Sequence, residues 1–185
     1  KEGYECGIVG YSEAEWNEPP DTLAHILAAH GYHNFCIGWR NLHPQRKLYG
    51  YHTVVPHKIM RQPGQGDYER WLRRELGESA TQDGHGVHNN SWLGRPHHLD
   101  ERFSIVAWTV NETVQRLADR DPTKPFFVWC SVGPPHSPYC PPQVYWDMYI
   151  NGEIPEPVVG EWAKDYGLSE QPLGVQPYSG RLRPD

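Results

Sequence analysis

Asp121-Pro122-Thr123-Lys124-Pro125-Phe126-Phe127-Val128-Trp129-Cys130-Ser131-Val132 carries the clearest structural instruction in the chain. Its two prolines stop any preceding helix, and the seven residues after them are apolar, β-branched or aromatic almost without a break. That is the composition of a strand buried on both faces, so 126–132 is expected as a central strand. Upstream, Phe103, Val106, Ala107, Val110, Val114 and Leu117 recur at helical spacing behind Asp100. The spacing predicts a helix over 101–119 that buries this face, with Asp100 as its N-cap.

A second unit of the same kind lies nearer the start. Leu23, Ile26 and Leu27 follow Pro19-Pro20-Asp21, with Gly31 beyond them, which predicts a short helix over 22–30 capped by Asp21 and closed at Gly31. Asn34-Phe35-Cys36-Ile37-Gly38 then reads as a buried strand. Two helix–strand units imply an α/β fold: a mostly parallel sheet flanked by helices, with 34–38 and 126–132 neighbouring or near-neighbouring strands. Between them 67–76 reads as a surface helix closed by Gly77, and 78–100 as loop. The 185 residues suit a single domain, 1–185, ending in a Pro- and Gly-rich tail over 150–185.

Composition narrows the function. Twenty-three acidic against seventeen basic residues give a net charge of −6, which leaves nothing to neutralise a phosphate backbone, so nucleic acid is not an expected partner. No run reaches the ~18 to 20 apolar residues that cross a bilayer, and the start has no signal-like apolar segment, so a soluble chain with no membrane partner is expected. Four cysteines without C-x-x-C spacing leave the compartment open. The phosphate-loop, dinucleotide and serine-elbow motifs are all absent.

Ligands of open α/β sheets sit beyond the carboxyl ends of the strands. Here those positions are Trp39-Arg40-Asn41-Leu42-His43-Pro44 and Gly133-Pro134-Pro135-His136-Ser137-Pro138-Tyr139. Eleven histidines invite a metal reading, with His85-x-x-His88 and His97-His98 the tightest pairs. Zinc wants three or four ligands, and this loop offers no cysteine or placed carboxylate, so solvated histidines and no metal site are expected. Arg70, Arg73 and Arg74, interleaved with Glu69 and Glu75, read as a solvated helix face.

Leu27-Ala28-Ala29-His30-Gly31-Tyr32-His33-Asn34-Phe35-Cys36-Ile37-Gly38 resembles the helix and strand that precede the G-K-x-H motif of sulfatases, in the alkaline-phosphatase-like superfamily. The run from Asp121 to Val128 into Pro135-His136-Ser137-Pro138-Tyr139, Pro141-Pro142 and Tyr145-Trp146-Asp147-Met148-Tyr149 is similar to the sulfatase strand that ends in a P-H-x-P loop. Asn90-Ser91-Trp92-Leu93-Gly94-Arg95-Pro96 resembles a bacterial-type subgroup, and the likeness extends over residues 8–163. It implies a sulfatase-like fold and hydrolysis of sulfate or phosphate monoesters. In the family a formylglycine attacks, a divalent cation such as calcium polarises the ester, and Lys and His stabilise charge.

The departures are specific. Gly38-Trp39-Arg40-Asn41 stands where the family has G-K-x-H, so neither the cation nor the imidazole is in its place. His136 alone matches a family active-site residue, implied to bond the ester; Arg40 and Asn41 are the candidate substrate-binding residues beside it, in one shared cleft. The nucleophile motif C-x-P-S/T-x-R is missing, and Cys140-Pro141-Pro142 is followed by no arginine. The chain is therefore expected to be an internal portion of a larger catalytic domain, with the remainder as its partner. Alone it should be inactive and carry no cofactor. The rival is a non-catalytic relative that binds or packs.

Overall fold

The computed structural model describes residues 22–60, 62–88, 91 and 93–155. Asp21 and the tail from 156 onward lie outside them. Two compact units are drawn from the chain, Lys1–Gln82 with Arg102–Gly133 and Asp83–Glu101 with Pro134–Asp185.

The first unit holds the sheet. Helix α1 (Leu23–Ala29) leads into β1 (His33–Gly38), then come β2 (Thr53–Pro56), α2 (Asp67–Leu76), α3 (Ile105–Ala118) and β3 (Phe126–Ser131). The strands run in the order β2-β1-β3, both pairs parallel, with Phe35 opposite Thr53 on one side and Val128 on the other. The two strands read from the sequence are thus direct neighbours running the same way. β1 is central and buried from Asn34 to Gly38. Its one buried polar side chain, Asn34, donates to the carbonyls of Ala24 (2.7 Å) and Gly50 (3.2 Å), which ties α1 and the loop before β2 to the sheet.

Local chemistry sets the helix ends. Thr22 caps α1, its hydroxyl accepting from the His25 N–H, and Gly31 follows with φ +84° in the left-handed region. The reading of 67–76 and Gly77 matches α2 and its C-cap, and Tyr68 and Leu72 bury its inner face.

The 101–119 reading needs correction in its start and its face. Glu101–Phe103 form a 3₁₀ turn, and α3 begins after Ser104, whose hydroxyl accepts from the Ala107 N–H at 3.1 Å. The buried residues are Ile105, Trp108 and Thr109, while Val106, Val110 and Val114 are exposed. The turn selects the face that carries the largest ring: Trp108 meets Tyr68 at 5.5 Å, and Thr109 satisfies its hydroxyl on the Ile105 carbonyl at 2.7 Å. A buried threonine is thus tolerated, and the valine stripe stays outside.

The second unit is held by backbone pairing between its two segments. Gly94 bridges Tyr139, Arg95 N–H donates to the Tyr139 carbonyl (3.1 Å) and His97 N–H to that of Pro141 (2.8 Å). Its helix α4 (Gln143–Ile150) has no buried residue and exposes Val144, Met148, Tyr149 and Ile150. Among the described residues no helix is long and apolar enough to cross a membrane.

Candidate functional site

β1 ends in Gly38 at φ +97°, and a side chain there would overlap the Ser131 carbonyl, so β1 and β3 meet at their carboxyl ends without room for a β-carbon. Trp39 starts the turn by donating its N–H to that same carbonyl at 2.7 Å. Its indole Nε1 donates to the Asn41 side-chain oxygen at 2.8 Å, and its ring centre lies 5.0 Å from that of His57, just beyond β2. A β-carbon on Gly133, just beyond β3, would touch the same indole at 3.5 Å. The carboxyl ends of all three strands therefore converge on one tryptophan.

Arg40 turns the other way. It is 8% exposed, its guanidinium carbon lies 5.0 Å from the Tyr49 ring and 5.8 Å from that of Tyr51, and Nη1 donates to the Gln45 carbonyl at 3.3 Å. The side chain braces the loop between β1 and β2 against the sheet. Burial raises the Cys36 thiol, with the Arg40 charge pulling the other way. Asn41, by contrast, is exposed.

His57 is buried, and desolvation lowers it to about 4, helped by Lys58 and opposed by a hydrogen bond to the Gly38 backbone. The imidazole against Trp39 is therefore neutral near pH 7. The sequence reading passed over it because Thr53–Pro56 is too short to stand out as a strand, although Thr-Val-Val is β-forming.

His136 belongs to the second unit, where it is exposed and donates Nδ1–H to the Ser137 carbonyl at 2.7 Å. Arg40 and Asn41 belong to the first unit, so the structure brings Asn41 to Trp39 and describes His136 by itself.

The histidines of the loop are partly corrected. His85 is buried, and with His97 and His98 it forms a cluster with ring centres 4.8 to 6.1 Å apart; His88 stays exposed. The Val87 N–H donates to Nδ1 of His85 and the Leu99 N–H to Nδ1 of His97, both at 3.1 Å. Each neutral ring then carries its proton on Nε2 and has no lone pair left for a metal. Among the described residues no group of three His, Cys, Asp or Glu could hold an ion, and Trp39, Asn41 and His57 do not make the oxygen-rich set that calcium requires.

No protein-family model matches the chain. An arylsulfatase of Clostridium perfringens is 37% identical over 171 residues, 85% of this chain and 35% of that protein. The chain thus spans about a third of the length of this curated relative. A protein solved in complex with its substrate D-glucosamine-2-N,6-O-disulfate superposes with a TM-score of 0.54 at 19% identity, covering 85% of this chain and 27% of that one. A phosphonate monoester hydrolase of Agrobacterium radiobacter gives 0.56 at 19%, covering 83% and 34%. The α/β sheet is that of the sulfatase and alkaline-phosphatase-like folds, and the sequence is sulfatase-like along most of its length.

Proposed function

We propose that this chain, sulfatase-like in sequence and fold, is a portion of a sulfatase-like domain that holds a sulfate or phosphate monoester at the carboxyl edge of its sheet and does not by itself cleave it. The observation that carries this reading is the Trp39 indole, bonded to Asn41 and packed on His57 where the resemblance calls for a lysine and a histidine. Ester hydrolysis needs positive charge or donors aimed at the oxygen that gains charge. An indole supplies a single N–H, and Asn41 already takes it.

His136 is the one position at which the family pattern is kept, and on that resemblance it is the candidate ester contact of the second unit. Its Nδ1–H bonds the Ser137 carbonyl at 2.7 Å, and the exposed ring suits contact with a ligand. Asn41 and Arg40 are the further candidates; the exposure of Asn41 suits ligand contact better than the burial of Arg40. Binding should be weaker than in a site with an intact lysine and metal. The divalent cation of a complete family member would have to be held by residues other than those described.

The test is turnover of an aryl sulfate and an aryl phosphate by this chain, with and without calcium. No measurable turnover is expected; cation-dependent turnover, or one tight calcium site by calorimetry, would overturn the reading. A second reading, in which the rest of a sulfatase-like polypeptide supplies the nucleophile and metal, is favoured by the 37% identity to an arylsulfatase. A C-x-P-x-R segment upstream in the reading frame would support it.

A further inference from the structure

Two of the three clustered histidines use one device. The Val87 N–H donates to Nδ1 of His85 and the Leu99 N–H to Nδ1 of His97, each from two residues on, so each ring closes a turn of its own backbone as an asparagine would. That bond exists only while the ring is neutral, because an imidazolium carries N–H at both nitrogens and sets donor against donor. Crowding adds to the cost. His85 is 3% exposed, its ring centre lies 5.8 Å from that of His97 and 6.1 Å from that of His98, and His97 stacks on His98 at 4.8 Å. A β-carbon on Gly84 would fall 2.5 Å from His98 Nε2, so the loop backbone presses on the cluster.

Among the described residues, the charges that act on these rings are Asp83 and Arg95. One carboxylate set against one guanidinium leaves no surplus negative charge to hold two imidazolium rings. From the facing segment Cys140 brings a thiol that burial raises, so it is neutral near pH 7. Desolvation, reinforced by His98 and His85 and opposed by Asp83, takes His97 down to about 4. Desolvation lowers His85 too, with Asp83 opposing and His98 and Arg95 adding to it.

The cluster sits where the second unit is joined. Arg95 and His97 are the donors that pair 94–97 with Tyr139 and Pro141, and His136 lies three residues before Tyr139 in the same segment. A change in the His97 ring therefore reaches that pairing directly.

We propose that the second unit is an acid-released latch: neutral His85 and His97 hold 94–97 against 139–141, and their protonation frees the segment that carries His136. Both rings are lowered in the closed state, so closure is complete above pH 6.5 and weakens as pH falls toward 4. The latch adds regulation to the proposed function and rests on it only for the role of His136.

The experiment is amide hydrogen exchange of this chain at pH 7 and pH 5, resolved to single residues and expressed as protection relative to the free peptide rate. Protection of the Arg95 and His97 amides should fall at least about tenfold at pH 5. In the double variant His85→Asn, His97→Asn, whose side-chain oxygens can accept the same N–H groups without titrating, the fall should stay under about twofold. His57 is present in both proteins, so an equal fall in the two would trace to another group and overturn the proposal, as would unchanged protection in the unmodified chain. If the variant is already unprotected at pH 7, the imidazole titrations of the unmodified chain by NMR decide: His85 and His97 should titrate below 6.5, together with the loss of Arg95 protection. Ordinary midpoints near 6.5 with Arg95 still protected at pH 5 would overturn the latch. The expected exchange with no sulfate binding at either pH would support the latch and sink the reading of His136 as an ester contact.

Discussion

Gly38 and the Ser131 carbonyl are so close that no side chain can stand between them, and Gly38 holds φ at +97° as well. Gly38→Ala therefore combines a left-handed backbone with a clash against backbone that cannot swing aside. It should cost about 3 kcal/mol or more in urea unfolding. Gly133→Ala, whose new carbon would only touch Trp39 in ordinary contact, should stay within about 1 kcal/mol.

The two faces of α3 should respond unequally. Val110 is 45% exposed, so Val110→Asp should change the stability of this chain by less than about 0.5 kcal/mol. Trp108, 4% exposed against Tyr68, should cost about 3 to 5 kcal/mol when cut to alanine. A large loss at Val110 with a small one at Trp108 would restore the face expected from the sequence.

Protonation of His57 should destabilise the first unit. Its folded value of about 4 lies below the ordinary 6.5, so the unfolded chain binds the proton more readily. Its contribution is complete above pH 6.5 and is lost as pH falls toward 4, with a slope of up to about 1.4 kcal/mol per pH unit. His57→Phe keeps a ring against Trp39 and cannot titrate. The difference between the two unfolding profiles should appear in that window; parallel profiles from pH 7 to 4.5 would count against a buried neutral imidazole.

Arg40 and Asn41 are adjacent in sequence and should separate in effect. Arg40→Ala removes the group lying against Tyr49 and Tyr51 and should cost about 2 to 4 kcal/mol. Asn41→Ala should cost under about 1 kcal/mol and, with His136→Ala, weaken sulfate binding several-fold in a titration. Unchanged stability with lost sulfate binding in Arg40→Ala would make that arginine a ligand contact instead.

What the sequence disclosed follows the strength of each local signal. Phe126–Val132 and Asn34–Gly38 are apolar runs between breakers, and their parallel pairing follows from the helix before each. Thr53–Pro56 and Gln143–Ile150 went unread because one is four residues long and the other follows a proline cluster and buries nothing. The face of α3 was misjudged because the valine stripe is regular, whereas the side that packs mixes Ile105, Trp108 and a threonine. At the site, the family pattern pointed to positions 39, 41 and 136. The burial of Arg40 and the approach of His57 come from tertiary contacts between segments far apart in the chain.

The central strand also sets an order of events in time. β1 finds β2 across the loop 39–52, whereas β3 arrives from beyond α2, the 78–100 loop and α3, so the entropy of closing that longer excursion must be met before any β1–β3 bond forms. A chain emerging from the ribosome therefore exposes the β3-facing side of Phe35–Gly38 until all of α3 and then β3 have been made. This places the interval of greatest vulnerability to misassociation in the synthesis of residues after Pro56.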